Sequence, residues 1–407
     1  MRVAVVAEWY PSRADPVLGV WAHRQAVAAR ESGADMRVLA FRRPVPPLSV
    51  ARQLVDIPPA IGALGRWFAG ARTSLRPMTL DGIEVVPVAF LAPPRPISYG
   101  GWGYWMAPTL ARSLDRLYAE WRFDVLHVHC LAPAGHAAAR WVRSRRSSAF
   151  VVSAHGPDMI HVPVRSSIGR RACVAALSAA DLVLANSRWA ARRCEEIAGR
   201  PVRVRVVHLG ADLSPVTSSS NGTVRLVTVS HLVARKRHEV VLRALSLLDP
   251  ARRPEHLVIG DGPCRRGLER LAGELGVSDR VRFLGQLPNP EAVAQAAACD
   301  LFVMPGVEEP FGVAFVEAMA AGLPAIGSRG EGGPEDIAAA GEGMLLVEPG
   351  DAAGLAAVID RLSADRDELR RLGAAARHTV AANFTWKRCG LETVAAYRAA
   401  LDSHAAR

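Results

Sequence analysis

Glu309-Pro310-Phe311-Gly312-Val313-Ala314-Phe315-Val316-Glu317 is the stretch on which the reading of this chain turns. Two carboxylates stand eight positions apart, with a Phe-Gly step between them. Upstream, Leu301-Phe302-Val303-Met304 is a short apolar run that suits a buried strand. Downstream, an apolar helical pattern starts inside the segment and stops at Gly322, with Pro324 just beyond. The predicted order is strand, loop, helix, with Glu309 in the loop and Glu317 on the helix. A helix that starts behind a bare glycine can present backbone N–H groups to an anion. Carboxylates on either side repel phosphate and suit hydroxyls. A sugar at one end, a ribose at the other and a diphosphate between them fit this layout.

The same alternation runs outward in both directions. Val3–Ala7, Met36–Phe41, Val125–His129, Phe150–Ser153, Leu182–Ala185 and Val204–Val207 read as strands in the first half. Val224–Val229, His256–Ile259, Val281–Leu284, Leu301–Met304, Pro324–Gly327 and Met344–Val347 read as strands in the second. Ala-rich helical patterns separate them, which predicts parallel sheets covered by helices on both faces. About six strands in each half make two doubly wound α/β domains, with a linker over Ala211–Thr223. The expected boundaries are 1–212 for the first domain and 213 onward for the second. Ligands of open α/β sheets bind outside the carboxyl ends of the strands. The cleft between two such domains is the expected site.

With 407 residues, half of them hydrophobic, the chain has ample core for two domains. No apolar run approaches the ~20 residues that cross a bilayer. The start, Met1-Arg-Val-Ala-Val-Val-Ala7, reads as a first strand rather than a signal peptide. The six cysteines contain no CxxC pair, so neither a zinc site nor a disulfide framework is indicated, and a reducing cytoplasm is expected. The net charge of +11 is unevenly placed: residues 1–210 carry 28 Arg and 14 acids, and residues 211–407 carry 22 basic and 25 acidic groups. The basic half suits an anionic membrane surface, at roughly 1 kcal/mol per basic residue near the lipid, or simply solvent. No nucleic-acid motif accompanies the charge, so no nucleic-acid partner is expected. Residues 44–108 break the alternation and are rich in Pro, Gly and aromatics. Ile61, Leu64, Trp67 and Phe68 share a helical face beside Arg66 and Arg72, and Tyr99, Trp102, Tyr104 and Trp105 follow. Such a face suits a membrane interface, and it equally suits aromatics packed under a long loop.

No Walker loop is present, and no GxGxxG follows a strand. What remains is a set of loops at strand ends. Gly19, before a helix from Val20, lets backbone approach a phosphate or simply makes a turn. His155-Gly-Pro-Asp158 follows the strand Phe150–Ser153 and can bind sugar hydroxyls or polarise a nucleophile, or its histidine is simply structural. Ser230-His-Leu-Val-Ala-Arg-Lys-Arg237 follows Val224–Val229. Lys236 in it is one of two lysines in the chain, a compact point charge suited to a diphosphate or simply part of a solvated basic turn. Gly330-Glu-Gly-Gly-Pro-Glu335 reads as a turn and a helix start.

Together these segments resemble the retaining glycosyltransferases of family 4, which have the GT-B fold. The resemblance is carried by Trp9-Tyr-Pro11 with Gly19, His127-Val-His129, His155-Gly-Pro-Asp158, Ala185-Asn-Ser187 and Leu209-Gly-Ala-Asp212. It continues through Lys236, Gly260-Asp-Gly-Pro263, Val281-Arg-Phe-Leu-Gly285, Glu309–Glu317 and Gly332-Gly333. It implies two Rossmann-like domains facing an interdomain cleft, a C-terminal domain over 213–385 that binds a nucleotide-sugar donor, and a last helix over 386–407 that crosses back to the first domain. No metal and no other cofactor is implied. Lys236 then holds the diphosphate, Glu309 meets the sugar near the reacting carbon, and Glu317 meets the ribose. Backbone around Phe311, Gly312 and Val313 lines the sugar and phosphates, and Gly19 closes on the phosphates from the first domain. His155 contacts the transferred sugar, with His129 and Asp158 on the acceptor or sugar side. The family's Gly-Arg step before the lysine is replaced by Ser230-His231, so either His231 or Arg235 supplies the second cation.

The implied activity is sugar transfer, UDP before GDP as the donor base, to a glycan or lipid-linked acceptor of the cell envelope or an exopolysaccharide. The implied enzyme works in the cytoplasm or on the inner face of the plasma membrane. A nucleotide-sugar epimerase and a non-catalytic sugar-nucleotide-binding protein are the alternatives.

Overall fold

A computed structural model of the protein describes residues 1–45, 57–145, 147–213 and 223–406. The linker expected over Ala211–Thr223 lies largely outside the described residues, as do the side chains of Ile61, Leu64 and Arg66. The chain forms two compact units, Met1–Val207 with Cys389–Arg407, and His208–Arg388.

The first unit holds a sheet of eight strands. They are β1 (Arg2–Ala7), β2 (Asp35–Arg42), β3 (Met78–Leu80), β4 (Ile83–Ala89), β5 (Val125–His129), β6 (Ala149–Ala154), β7 (Leu182–Ala185) and β8 (Val204–Val206). Their order is β3-β4-β2-β1-β5-β6-β7-β8, and every pairing but β3 with β4 is parallel. Val3 to Ala7 are wholly buried. A parallel strand covered on both faces reads as such an unbroken apolar run. The sequence pattern expects six strands here; the structure adds β3 and β4 inside the stretch that breaks the alternation. They form a hairpin closed by Asp81-Gly82, both at positive φ (44° and 72°), the backbone that an Asp-Gly pair favours in a two-residue turn. Trp102, Met106, Leu110 and Leu114, on one face of the helix Trp102–Glu120, fill the core with Phe41, Phe90 and Phe123.

The segment Cys389–Arg407 packs on this unit through specific contacts. Gly390 lies against the Ala28 carbonyl, where a Cβ would sit 2.1 Å from the oxygen. Gln25 donates to Thr393 Oγ1 at 3.1 Å, and the Tyr397 hydroxyl meets His127 Nδ1 at 2.7 Å.

The second unit holds six parallel strands: β9 (Arg225–Val229), β10 (Glu255–Ile259), β11 (Val281–Gly285), β12 (Leu301–Val303), β13 (Ala325–Ser328) and β14 (Met344–Val347). Their order is β11-β10-β9-β12-β13-β14, that of a dinucleotide-binding domain built from two mononucleotide halves. The order reverses between β9 and β12, which pair through Leu226–Leu301 and Val227–Phe302. The loops leaving these two strands therefore start side by side at the switch point where such sheets bind ligands.

Candidate functional site

In the second unit, the loop after β12 carries Glu309 and the loop after β9 carries Arg235 and Lys236. Lys236 Nζ contacts Glu309 Oε2 directly, and Arg235 Nη1 stands 3.5 Å from the same oxygen. Lys236 is 8% exposed and Glu309 7%. Burial lowers the pKa of the lysine ammonium, and the Glu309 carboxylate opposes that shift. A buried pair of this kind contributes little net stability, but removing one partner strands a buried charge. The backbone is equally tied: Val307 N–H donates to the Arg235 carbonyl at 2.7 Å, and Arg235 Nη1 donates to the Glu308 carbonyl at 3.3 Å.

The helix behind this loop runs from Val313 to Ala320, with Gly312 at φ 82° before it. A side chain at Gly312 would strike the Phe315 ring at 2.6 Å. The position therefore needs glycine both for its left-handed backbone and for this approach. The helix ends at Ala321-Gly322, as the sequence pattern expects. Glu317 lies on its second turn, half-buried, beside a small cavity lined by Val229, Phe302 and Ala314. Phe311 is buried, and the Gly333 backbone packs so tightly on its carbonyl that a Cβ there would lie 1.6 Å from the oxygen. His231 is exposed, and no contact joins its side chain to Lys236 or Glu309 among the described residues.

One residue of this site escapes the sequence reading. Glu331, in the loop after β13, accepts the Glu309 N–H at 2.7 Å. Burial raises its carboxyl, and bonds from the Glu309 and Glu308 backbone oppose that shift. It fixes a loop in which Glu308 sits at φ 56°, a left-handed conformation that a non-glycine residue adopts only when its surroundings hold it there. In the sequence, Gly330–Glu335 shows turn chemistry, and a carboxylate accepting a distant N–H leaves no periodic signal.

The first unit builds a different constellation at the carboxyl ends of β5 and β6. His129 Nδ1 and His155 Nε2 are 2.9 Å apart, with their rings stacked. His127 bridges Ser153 Oγ at 2.7 Å and the Tyr397 hydroxyl at 2.7 Å. Trp21, two residues after Gly19, covers His155 with ring centroids 4.0 Å apart. Burial pushes His129 down to about 3 and holds His127 and His155 well below the usual imidazole range. The ring pair is therefore neutral near pH 7, and one N–H is shared across it. His155 Nδ1 is buried without a hydrogen-bond partner among the described residues.

Asp158 is spent on backbone. Its Oδ1 accepts the Gly156 N–H at 2.8 Å and its Oδ2 the Leu131 N–H at 2.9 Å, so it anchors the loops that carry His155 and follow His129. Gly19, at φ 68°, lies so close to the Trp9 carbonyl that a Cβ would approach it to 2.3 Å. His127 and Tyr397 are 270 positions apart, too far for local pattern to join them.

A cavity of about 650 Å³ lies in the second unit, between Asp300, Gly322 and the helix Arg366–Asn383. It is at the amino end of β12, away from Lys236 and Glu309. The charges on its wall already have partners, Arg366 with Asp300 at 3.0 Å and Arg377 with the Ala320 carbonyl, so volume alone does not make it the site.

With this geometry in hand, comparison with known proteins identifies the group. Residues 213–379 match the family model of glycosyl transferases group 1, and residues 18–215 match that of glycosyltransferase family 4. The chain belongs to glycosyltransferase family 4. It is 32% identical over 312 residues to a D-inositol 3-phosphate glycosyltransferase of Nocardia farcinica, covering 71% of this chain and 64% of that protein. It is 28% identical over 308 residues to a GDP-mannose-dependent alpha-(1-6)-phosphatidylinositol monomannoside mannosyltransferase of Mycolicibacterium smegmatis, covering 70% of this chain and 78% of that protein. The match therefore spans less than two thirds of the first relative's length. Among solved structures, Anabaena HepE in complex with UDP and glucose shares the fold, with a TM-score of 0.71, 20% identity, and coverage of 97% of this chain and 98% of that one.

Proposed function

We propose that this protein transfers a hexose from a nucleoside-diphosphate sugar to a glycan or lipid-linked acceptor, with retention at the anomeric carbon and without a metal ion. The observation that carries the reading is the buried Lys236–Glu309 contact at the strand switch point of the second unit. Without donor, Glu309 neutralises Lys236. A diphosphate offers Lys236 a stronger anionic partner, and the carboxylate is then released toward the sugar hydroxyls. As the glycosidic bond breaks, negative charge grows on the diphosphate. Lys236, Arg235 and the N–H groups behind Gly312 stabilise it as fixed dipoles and charges, with little reorganisation. The acceptor hydroxyl attacks from the same face and loses its proton to the departing phosphate.

UDP is our first reading of the donor base, on the family's usage and the UDP complex of the Anabaena fold relative. GDP is the second, favoured by the GDP-mannose-dependent mycobacterial relative. Incubation with UDP- and GDP-hexoses, with transferred and free sugar measured, tests both. Release of sugar from one series supports the reading. An epimerised donor, or donor binding with no hydrolysis or transfer, points to the epimerase or the non-catalytic alternative.

We also propose a cytoplasmic site of action, peripheral on an anionic membrane surface. No helix of the described residues is long and apolar enough to cross a membrane. On the helix Ile57–Ser74, Phe68 is 53% exposed, and an exposed aromatic beside arginine suits the interface. Liposome flotation of Trp67→Glu/Phe68→Glu against wild type tests it, and equal flotation removes the membrane from the proposal.

A further inference from the structure

The loop after β1 carries a group of side chains that none of the roles above uses. Glu8 follows β1, which pairs with β2 on one side and β5 on the other, so it stands where the order of the first sheet reverses. Arg42 holds the loop's backbone, with Nη1 donating to the Glu8 carbonyl at 3.0 Å and Nη2 to the Pro11 carbonyl at 3.1 Å. The Glu8 side chain is 12% exposed. Its Oε2 accepts the Tyr99 hydroxyl at 3.0 Å, and its Oε1 faces Arg95 Nη2 at 4.0 Å. Burial raises its carboxyl, with Arg95 the largest opposing influence.

Arg95 is the unusual member. Its guanidinium lies over the Trp9 ring at 4.5 Å and the Tyr99 ring at 4.2 Å. Stacking fixes the plane of the group and uses its faces, not its edges. Among the described residues its only ion pair is the distant one to Glu8, and its side chain makes no hydrogen bond to protein. The side chain is 41% exposed. The result is a pre-oriented guanidinium whose N–H fork points at no protein acceptor, beside a desolvated carboxylate and two aromatic rings. A fork of this kind matches a phosphate in bidentate geometry. A carboxylate and aromatic surface beside it match the hydroxyls and C–H faces of a polyol ring.

We propose that Glu8, Trp9, Arg95 and Tyr99 form an acceptor subsite for a phosphorylated polyol, with Arg95 on the phosphate and Glu8 on the ring hydroxyls. The proposal rests on the glycosyltransferase reading only in calling the ligand an acceptor. The phosphate belongs either to a free sugar phosphate or to a phospholipid headgroup, and the test separates the two.

The full chain is titrated calorimetrically with glucose, with glucose 6-phosphate, and with phosphatidylcholine vesicles that contain or lack phosphatidylinositol. UDP and GDP are titrated in parallel. Wild type is expected to bind glucose 6-phosphate, or the phosphatidylinositol vesicles, at least about tenfold more tightly than the unphosphorylated control. Preference for the soluble probe assigns a free sugar phosphate, and preference for the vesicles assigns a headgroup. Arg95→Ala is expected to erase that preference. Arg95→Lys keeps part of it, and Glu8→Gln weakens the phosphorylated and plain sugar by a similar factor. If the four side chains only brace the helix Arg95–Ser98 against β1, Arg95→Ala and Glu8→Gln lower Tm while the ratio of phosphorylated to plain ligand stays at the wild-type value in Arg95→Ala; that result overturns the proposal. Absence of any phosphate preference in wild type overturns it as well. Sugar-phosphate binding without binding of UDP or GDP sinks the donor reading and leaves the subsite standing.

Discussion

The two units present their strand ends to ligands in opposite electrostatic states. In the second, the switch point holds a lysine and an arginine against one buried glutamate. In the first, the ends of β5 and β6 hold three imidazoles kept neutral by burial. A charged pair at a strand end can exchange partners when an anion arrives. A neutral hydrogen-bonded ring pair cannot repel or attract charge strongly, but it orients a donor and an acceptor for hydroxyls. The first state suits a diphosphate and the second suits hydroxyls.

The largest effect separating the two units is expected at Glu309. Glu309→Gln keeps an acceptor oxygen but not the charge, and it is expected to lower turnover about a thousandfold, the scale of removing one preorganised transition-state group. Affinity for the free nucleotide should not fall and is expected to rise, since Lys236 loses the carboxylate that competes with the diphosphate. Near-wild-type turnover with donor bound would remove Glu309 from the chemistry.

A smaller effect is expected at Glu331, which touches the site through the Glu308 and Glu309 backbone. Glu331→Ala should reduce kcat by about tenfold to a hundredfold with KM for donor nearly constant, since misplacing a reacting group costs rate more than binding. Glu331→Gln, which keeps an acceptor oxygen, should recover most of it. A loss explained by a lower Tm alone would make Glu331 merely structural. Amide exchange at Glu309, faster in Glu331→Ala, checks the hydrogen bond without any substrate.

The smallest effect concerns pH and sets the units against each other through stability. His129 and His256 are held down to about 3, and His136 and His238 to about 4. The unfolded chain protonates these rings near pH 6.5 while the native state does not. Their contribution is fully present above that pH and is lost as the pH falls toward the folded values, at up to about 1.4 kcal/mol per pH unit for each group. His23, His127 and His155 act in the same sense in the first unit, whereas His238 and His256 are the lowered rings of the second. Calorimetric scans from about pH 7.5 to about 5.5, roughly one unit either side of the free imidazole value, should show the first unit's transition falling sooner. Equal slopes for the two transitions would contradict the neutral-imidazole account.

The same contrast explains what was legible in the sequence. Lys236 and Glu309 could be read because each follows an apolar strand and because lysine is rare in this arginine-rich chain. Strands such as Val125–His129, Leu182–Ala185 and Met344–Val347 carry a dense apolar run between turn signals, and the structure has them at those positions. The hairpin β3–β4 was hidden by the surrounding prolines and aromatics, although Leu80-Asp81-Gly82-Ile83 carries its turn signal. Contacts such as Glu331 with Glu309, Tyr397 with His127, and Arg95 with Trp9 depend on tertiary placement alone. No periodicity encodes them, and they are the contacts that orient the site residues.

The central claim is that Lys236 at the switch point of the second unit holds the donor's diphosphate. Its most direct test is calorimetric titration of UDP and GDP into the full chain and into Lys236→Met, a variant that keeps the stem volume and removes the charge. The account predicts that wild type binds at least one of the two and that the variant loses affinity about a hundredfold, close to 3 kcal/mol. A variant with intact Tm that binds both nucleotides as wild type does would contradict it.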